Sequence, residues 1–264
     1  MSGNEAFEMA SGHNWDRGLD NLLRSGLARW FKTRMWWIQC LIWGGIIGIL
    51  ISALVFNSQP PSFVDLLMIF AVFAGLFPAV GVTIIMQDAL VGEKREGTAA
   101  WVLSKPVTRH AFVLSKVISN GVGILVSMVV VPCILAYALI SLTQQPSLDL
   151  LGFIGAMGVF FVSHFFFLSL TLMLGALFSN RGPVIGIPLA ILFLQQNLIG
   201  WLPSLRYILP WNLALPVGNT QPMVLSLMTR TQVQSGHLIT LGVVVAESLL
   251  FILIALWRFN QEEF

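Results

Sequence analysis

Long apolar stretches alternate with short polar segments along most of this chain. Six stretches lack Asp, Glu, Lys and Arg, apart from Glu247 in the last one: 35–64, 66–87, 117–148, 150–180, 182–205 and 231–257. A helix needs about 20 mostly apolar residues to cross a bilayer, and every stretch is long enough. Because lipid cannot hydrogen-bond to the backbone, a spanning stretch has to be helical. The pattern therefore predicts an all-α integral membrane protein with six transmembrane helices.

The expected boundaries follow from the edges of these stretches. We place a tail at 1–35, a six-helix transmembrane domain at 36–264, and spans at about 36–56, 64–87, 117–142, 151–178, 183–202 and 237–257. A further uncharged stretch, 207–229, contains three prolines. Proline removes a backbone donor and interrupts a helix. This stretch predicts an irregular or partly re-entrant segment, inside an outer connection at 203–236. The alternative is a seventh span, which would put the C-terminus outside.

The tail before the first span has an amphipathic pattern. Its apolar residues recur at helical spacing, and they are Leu19, Leu22, Leu23, Leu27, Trp30 and Phe31. The basic residues Arg17, Arg24, Arg29 and Lys32 lie largely between them. Such a helix lies along the inner membrane surface. It serves either as a simple anchor, with its basic side chains reaching to the polar boundary, or as a docking element for a partner.

Composition and charge agree with this arrangement and orient it. Hydrophobic residues make up 56% of the chain and charged residues 10%, whereas soluble domains are about 25% charged. Twelve of the 14 Lys and Arg residues fall in the tail, in 88–116, in the turn at 179–182 and after the last span. Cytoplasmic loops are rich in Lys and Arg. We expect a multi-pass protein of a prokaryotic plasma (inner) membrane, with both termini and the 88–116 loop in the cytoplasm.

Residues 91–112, VGEKREGTAAWVLSKPVTRHAF, concentrate charge between two spans. Ser104-Lys105-Pro106 should end a short helix, because the residue before proline disfavours helical geometry, and Thr108 is placed to cap the next helix. A short protruding helix fits the groove of a soluble partner. The alternative is a solvated loop whose basic residues only fix orientation. That alternative accounts less well for Glu93, Glu96 and Trp101, since acidic residues contribute little to orientation.

Catalytic, cofactor-binding and metal-binding patterns are absent from the sequence. GEKREGT, at 92–98, has the glycine spacing of a phosphate-binding loop but lacks the lysine that precedes Ser or Thr. HExxH and GxSxG do not occur, and neither Cys40 nor Cys133 has a Cys or His at metal-ligand spacing. We therefore predict that this chain is not an enzyme and holds no cofactor or metal itself.

Residues 88–118, DALVGEKREGTAAWVLSKPVTRHAFVLSKVI, resemble the first cytoplasmic loop of ABC-2 type transporter permeases. That family pattern runs loosely as acidic–x–x–GT, then LLSxP[VL][ST]R, then GK or SK at the start of the next span. The matching residues are Glu93, Glu96, Gly97, Thr98, Leu103, Ser104, Pro106, Val107, Thr108, Arg109 and Lys116. Val102 and Ser115 depart mildly from the pattern. The six spans, the interfacial helix and the irregular segment before the last span also resemble the family layout.

The resemblance implies that the chain is the permease subunit of an ATP-driven ABC transporter and that this transporter is an exporter. Its 88–116 loop would be a coupling helix that docks on a separate ATP-binding subunit, present in two copies. ATP and Mg would be held by that partner, and a second permease chain, identical or paralogous, would complete the unit. Neither nucleic acid nor a cofactor on this chain is implied. The coupling residues would be Glu93, Arg95, Glu96, Gly97, Thr98, Trp101, Ser104, Pro106 and Arg109.

Polar residues inside the predicted spans are candidates for lining a translocation path: His164, Gln195, Gln196 and Glu247. A charged residue within a span usually faces protein or water. His164 and Glu247 would then form a substrate or proton site. The alternative is that Glu247 is a protonated or hydrogen-bonded structural residue and that the glutamines join helices. Two other functions therefore compete with the permease: a secondary transporter or channel that uses these residues, and a scaffold that tethers a cytoplasmic protein without transport.

Overall fold

The computed structural model describes residues 16–143, 148–218 and 220–262, and no β-strand occurs within these ranges. Its α-helices are α1 (Leu19–Phe31), α2 (Met35–Val55), α3 (Phe63–Arg95), α4 (Thr98–Leu103), α5 (Arg109–Ile124), α6 (Val131–Ser141), α7 (Leu150–Leu177), α8 (Arg181–Trp201), α9 (Trp211–Ala214), α10 (Met223–Met228) and α11 (Ser235–Asn260). A π-helical turn, Leu125–Val130, joins α5 to α6, and a 3-10 helix, Pro203–Tyr207, follows α8.

Six of the helices in the described ranges are long and apolar enough to cross a membrane. They are α2, α3, the continuous helix Arg109–Ser141, α7, α8 and α11. This confirms the predicted all-α fold with six candidate spans. Two of the spans run further than the sequence suggested, because α3 continues past residue 87 to Arg95 and the third span begins at Arg109. Much of the charged segment 88–116 is therefore helix continuous with the spans.

Helix α7 lies at the centre of the bundle and packs mainly against α3 and α11. Aromatic rings join α7 to α3: Phe70 stacks on Phe153 with centroids 5.7 Å apart and meets Phe160 edge-on at 5.8 Å. Such aromatic pairs add specific geometry to the burial of large apolar surfaces. The phenylalanine-rich sequence of α7 thus forms packing contacts at the centre of the fold.

The third span changes helix type near its middle. The π-helical turn Leu125–Val130 lies between α5 and α6 and contacts α2. Pro132 follows in the first turn of α6, where its missing N–H removes one hydrogen bond of the helix. π-helical turns inside α-helices interrupt the regular i→i−4 pattern. The third span therefore consists of two α-helical halves joined by an irregular turn.

One end of the bundle, which we call the charged face, is formed by α1, residues 88–116, the α7–α8 turn and the end of α11. Contacts between these parts are direct: Thr108 donates its amide N–H to the carbonyl of Arg17 at 3.1 Å, and Arg181 pairs with Asp88 at 2.7 Å. On α1, Trp30 is 2% exposed and donates its indole N–H to Asn120 at 3.0 Å. The described ends of the chain thus lie on the same face as the charged segment.

The other end, which we call the opposite face, carries residues 56–62, 143, 148–149 and 202–234. There the chain forms the 3-10 helix, α9 and α10 in place of one long helix. Helix α10 is buried against α7, and Arg230 after it pairs with Asp149 at 2.5 Å. Asn212, in α9, donates to the Thr240 hydroxyl of α11 at 3.3 Å. Short segments therefore fold back onto the bundle between α8 and α11.

Candidate functional site

The candidate site is built on α4, a single short helix that protrudes between the second and third spans. Gly97 precedes α4 with a φ of 72°, a conformation that glycine adopts without steric cost. Helix α4 ends at Leu103, followed by Ser104, whose hydroxyl donates to the carbonyl of Trp101 at 2.8 Å. The end falls before Pro106, where the sequence predicted it.

Helix α5 begins where the predicted cap stands. The Thr108 hydroxyl accepts the amide N–H of Ala111 at 3.1 Å, and the Thr108 backbone has an extended conformation. A threonine cap satisfies one of the free amides at a helix start. Residues 104–108 thus form a compact turn between α4 and the third span.

Seven of the nine predicted coupling residues are exposed in and around α4, and we call them together the coupling surface: Arg95, Glu96, Gly97, Thr98, Trp101, Ser104 and Pro106. Trp101 is 62% exposed at its centre. The Lys105 ammonium lies over the Trp101 ring, 3.5 Å from its centroid. On the reverse side of α4, Ala99 is fully buried and holds the helix against the bundle. The surface therefore combines an exposed aromatic ring with charges of both signs.

The other two predicted coupling residues bond to neighbouring helices. Glu93 forms an ion pair with Lys116 of α5, and their side chains are 18% and 20% exposed. Arg109 donates to the carbonyl of Asn260, at the end of α11, at 2.5 Å. Glu93 is therefore mostly buried and paired within the protein, and its place on the contact surface stays a prediction. These two residues support the coupling surface from behind, by joining α3 to α5 and α5 to α11.

A cavity of about 460 Å³ lies behind the coupling surface, between α1, α3, α4 and α5. Residues lining it include Arg29, Glu93, Glu96, Trp101, Lys116 and Asn120. Arg29 on α1 and Glu96 at the end of α3 bring opposite charges to its wall. The amphipathic helix and the coupling surface therefore border the same space, and both would meet a partner that docks there.

Sequence reasoning missed Lys94. Its ammonium group donates to the carbonyl of Ala176 at 3.1 Å and pairs with the carboxylate of Glu262. These partners lie on α7 and just after α11, far from Lys94 along the chain. Nothing in the local pattern separates Lys94 from the neighbouring exposed Arg95, because the distinction arises only from tertiary packing.

The candidates for a translocation path do not converge. His164 is fully buried, with its ring close to the backbone of Ala74 in α3. Phe166 faces α11, where its ring meets that of Phe251 at 5.5 Å. Residues two positions apart on an α-helix point about 200° apart. His164 therefore faces away from α11, which carries Glu247.

The glutamines also differ in their surroundings. Gln195 is 2% exposed and donates to the carbonyl of Leu192 in its own helix at 3.1 Å. Gln196 is exposed on the outside of α8, and Glu247 is half-buried on α11. The described structure therefore shows no shared polar path through these four residues, and a role for any of them stays a prediction.

Comparison with known families gives one match. A family model described as "ABC-2 family transporter protein" matches residues 5–264. The matched range includes α1, the coupling surface and the six candidate spans. A comparison with curated proteins gave no match.

Proposed function

Because the chain belongs to the ABC-2 family of transporter proteins, we propose that it is the permease subunit of an ATP-driven exporter, coupled through the coupling surface to a separate ATP-binding subunit. Membership of this family makes the chain a multi-pass membrane component of an ABC transporter. The exporter direction, the docking of the partner and the residues that dock are parts of the proposal.

The coupling surface is the observation that carries this proposal. Exposed tryptophan and arginine side chains are typical anchors of protein–protein interfaces. Trp101 projects from a short helix that is fixed at both ends, by Gly97 and by the turn before Thr108. A fixed helix loses little conformational freedom on binding, which favours affinity. We infer that a groove of the ATP-binding subunit receives α4, with Trp101 at its centre.

The proposed working unit contains two permease chains and two ATP-binding subunits. ATP and Mg belong to the ATP-binding subunits, and this chain supplies the spans and the contact. Movement of the partner would displace α4, and α4 lies between the ends of α3 and α5. Because both flanking helices continue into the membrane, displacement of α4 would shift the second and third spans.

The distribution of charge supports a cytoplasmic position for the charged face. Twelve of the 14 Lys and Arg residues belong to it by sequence, and basic residues are retained on the cytoplasmic side. This arrangement puts the coupling surface where ATP-binding subunits are found. We therefore propose a plasma (inner) membrane of a prokaryotic cell for the chain, and the outward direction of transport rests on the family resemblance alone.

The proposal is tested by purifying the chain from its native cell in mild detergent and identifying the bound proteins. The test variant combines Trp101→Ala with Glu96→Lys, and it leaves Glu93 intact because Glu93 pairs internally with Lys116. The control is Trp201→Ala, which removes a tryptophan that is 79% exposed on the opposite face. We expect a stoichiometric ATP-binding protein with the wild-type chain and the control, and its loss from the test variant.

Two results would contradict the proposal. If the intact wild-type chain is purified without any ATP-binding protein, the proposed ATP-driven function is wrong. Full recovery by the test variant would show that the partner docks elsewhere on the chain. ATP hydrolysis by the purified complex, measured in parallel, distinguishes an active partner from a protein that merely co-purifies.

A further inference from the structure

We infer that Lys94 is a positioning residue that transmits displacement of α4 to α7 and α11. The inference rests on the proposed function, since it concerns how docking on α4 reaches spans that do not adjoin it in sequence. It assigns a role to a side chain outside the coupling surface and inside the protein.

Lys94 joins three helices at the charged face. Its ammonium group donates to the Ala176 carbonyl at 3.1 Å, in the last turn of α7. Carbonyls in the last turn of a helix lack partners within the helix. The same ammonium group forms the ion pair with Glu262, and the two side chains are only 10% and 20% exposed. One residue of α3 is thus bonded both to α7 and to the segment that follows α11.

The end of α11 is also held from the side of α5. Phe259 is fully buried, and its ring stacks on Phe112 of α5 with centroids 5.3 Å apart and planes 10° apart. The Arg109 guanidinium donates to the carbonyl of Asn260, one residue further on. The end of α11 therefore sits between the end of α3 and the start of α5. These are the two helices that flank α4.

Lys94 also contacts the turn that leads into α4. Its carbonyl accepts the amide N–H of Gly97 at 3.3 Å, and Gly97 leads directly into α4. Its ammonium group lies 5.7 Å from the centre of the Phe259 ring. The backbone of Lys94 is thus bonded to the turn before α4, and its side chain to α7 and to Glu262.

The chemistry of the link favours a role beyond stability. Apolar residues of similar size often replace a buried ion pair without loss of stability. A lysine ammonium offers three directed donors. The ammonium of Lys94 contacts the Ala176 carbonyl and the Glu262 carboxylate, and it lies over the Phe259 ring. An ion pair keeps the three helices in one relative position and is able to break and re-form. Replacing both charges should therefore preserve packing and remove the directed link.

The experiment follows the far end of α11 in the purified complex with its ATP-binding subunit. A reporter thiol is placed by Leu238→Cys, at a position 57% exposed on the opposite face, in a background with Cys40→Ala and Cys133→Ala. Maleimide labelling is measured without nucleotide and with ATP plus vanadate. The test variant combines Lys94→Met with Glu262→Gln. Lys94→Arg is the conservative control, and Lys32→Met controls for loss of an exposed lysine of the charged face.

In the wild-type background and both controls, we expect nucleotide to change the labelling rate by about fivefold, the lower end of typical coupling between sites. The test variant should keep its ATP-binding subunit and its ATP hydrolysis, and should lose the nucleotide-dependent change in labelling. A merely structural role would reduce the yield or thermal stability of the complex and leave the response of the assembled fraction unchanged.

The outcomes separate this inference from the function on which it rests. A test variant that responds like the wild-type chain overturns the inference alone. Wild-type chain without an ATP-binding subunit overturns the proposed function and the inference together. Loss of the response in Lys32→Met as well as in the test variant would also overturn the specific role of Lys94, because the effect would follow from charge alone.

Discussion

The two faces of the bundle are held together in different ways. On the charged face, polar side chains of α3 and α5 reach across to other helices, and the Lys94–Glu262 and Glu93–Lys116 pairs are largely buried. On the opposite face, short irregular segments are held mainly by apolar burial of α10. The ion pair described there, Asp149–Arg230, leaves the Arg230 side chain 72% exposed.

This difference bears on how the molecule would move. Directed polar links make helix ends move as a group, whereas apolar contacts allow sliding at little cost. Val224 and Leu225 of α10 are fully buried, and α10 packs mainly against α7. Their side chains are apolar and form no directed bond. In the proposed function, displacement would therefore enter at the polar-linked charged face and be taken up at the apolar contacts of the opposite face.

The largest expected effect is loss of Trp30, which fixes α1 on the charged face. A β-carbon at Gly123 would clash with the Trp30 ring, so the two residues are closely fitted. Trp30→Ala should lower the free energy of unfolding by about 3–5 kcal/mol, the usual cost of removing a buried aromatic side chain. Thermal unfolding in detergent measures this effect. Trp201→Ala on the opposite face is the control, and an equal loss there would contradict the prediction.

A smaller effect compares the two ion pairs directly. Lys94→Met leaves Glu262 without its partner, and should cost about 3 kcal/mol, as for other buried pairs broken on one side. Arg230→Met breaks an exposed pair, whose charges water screens, and should cost much less. Unfolding temperatures of the two variants give the comparison. Equal decreases in unfolding temperature for the two variants would mean that the ion pairs on the two faces stabilise the protein equally. Lys94→Met with Glu262→Gln should recover most of the lost stability.

The opposite face should show a specific response to acid. The hydrogen bond from Arg230, supported by the amide of Gly152, lowers the pKa of Asp149 from its ordinary 3.8 to about 2. The folded state thus favours the carboxylate. Its contribution to stability is complete above pH 3.8 and is lost as pH falls towards about 2.

Unfolding temperatures measured across this range test the acid response. The wild-type chain should exceed Asp149→Asn in stability above pH 3.8, and the gap should close as pH approaches 2. A gap that stays constant with pH would mean that Asp149 acts only as the cap of α7, where it accepts the Gly152 amide N–H at 2.8 Å. Charges on the other face are common to both proteins and cancel in the comparison.

The smallest effect on stability is expected at the centre of the coupling surface. Trp101→Ala removes a side chain that is 62% exposed, so the free energy of unfolding should change by no more than about 0.5 kcal/mol. Recovery of the ATP-binding subunit should nevertheless fall sharply. A large loss of stability would show that Trp101 packs within the charged face and does not project from it.

Local patterns were sufficient to predict the fold class and much of the candidate site. Uncharged stretches marked the six candidate spans, because the cost of burying charge in lipid is a property of each stretch alone. The end of α4 before Pro106 and the Thr108 cap also depend on neighbouring residues. Each feature needs only a few adjacent residues, so the sequence contains the whole physical reason for it.

Features that depend on distant residues were not predictable in this way. The charges near the end of α3 were assigned to a cytoplasmic loop, whereas Glu93 and Lys94 are helical and pair with the distant residues Lys116 and Glu262. The inward orientation of Glu93 has the same origin. Likewise, the sequence could not show whether His164 and Glu247 meet, because the orientation of α7, which brings His164 close to Ala74 of α3, depends on tertiary packing.

The π-helical turn Leu125–Val130 determines the rotational phase of everything beyond it in the third span. One extra residue in a helix rotates all later side chains by about 100° relative to an unbroken α-helix. Residues of α5 face α1 and the end of α11, while Cys133, Ala136 and Ile140 of α6 are buried against the rest of the bundle. Deleting one residue at Val126 would turn this buried stripe away from its neighbours while leaving composition and hydropathy almost unchanged. The two halves of the third span therefore present their buried side chains in different directions. The number of residues in the π-helical turn sets this difference, and hydropathy does not.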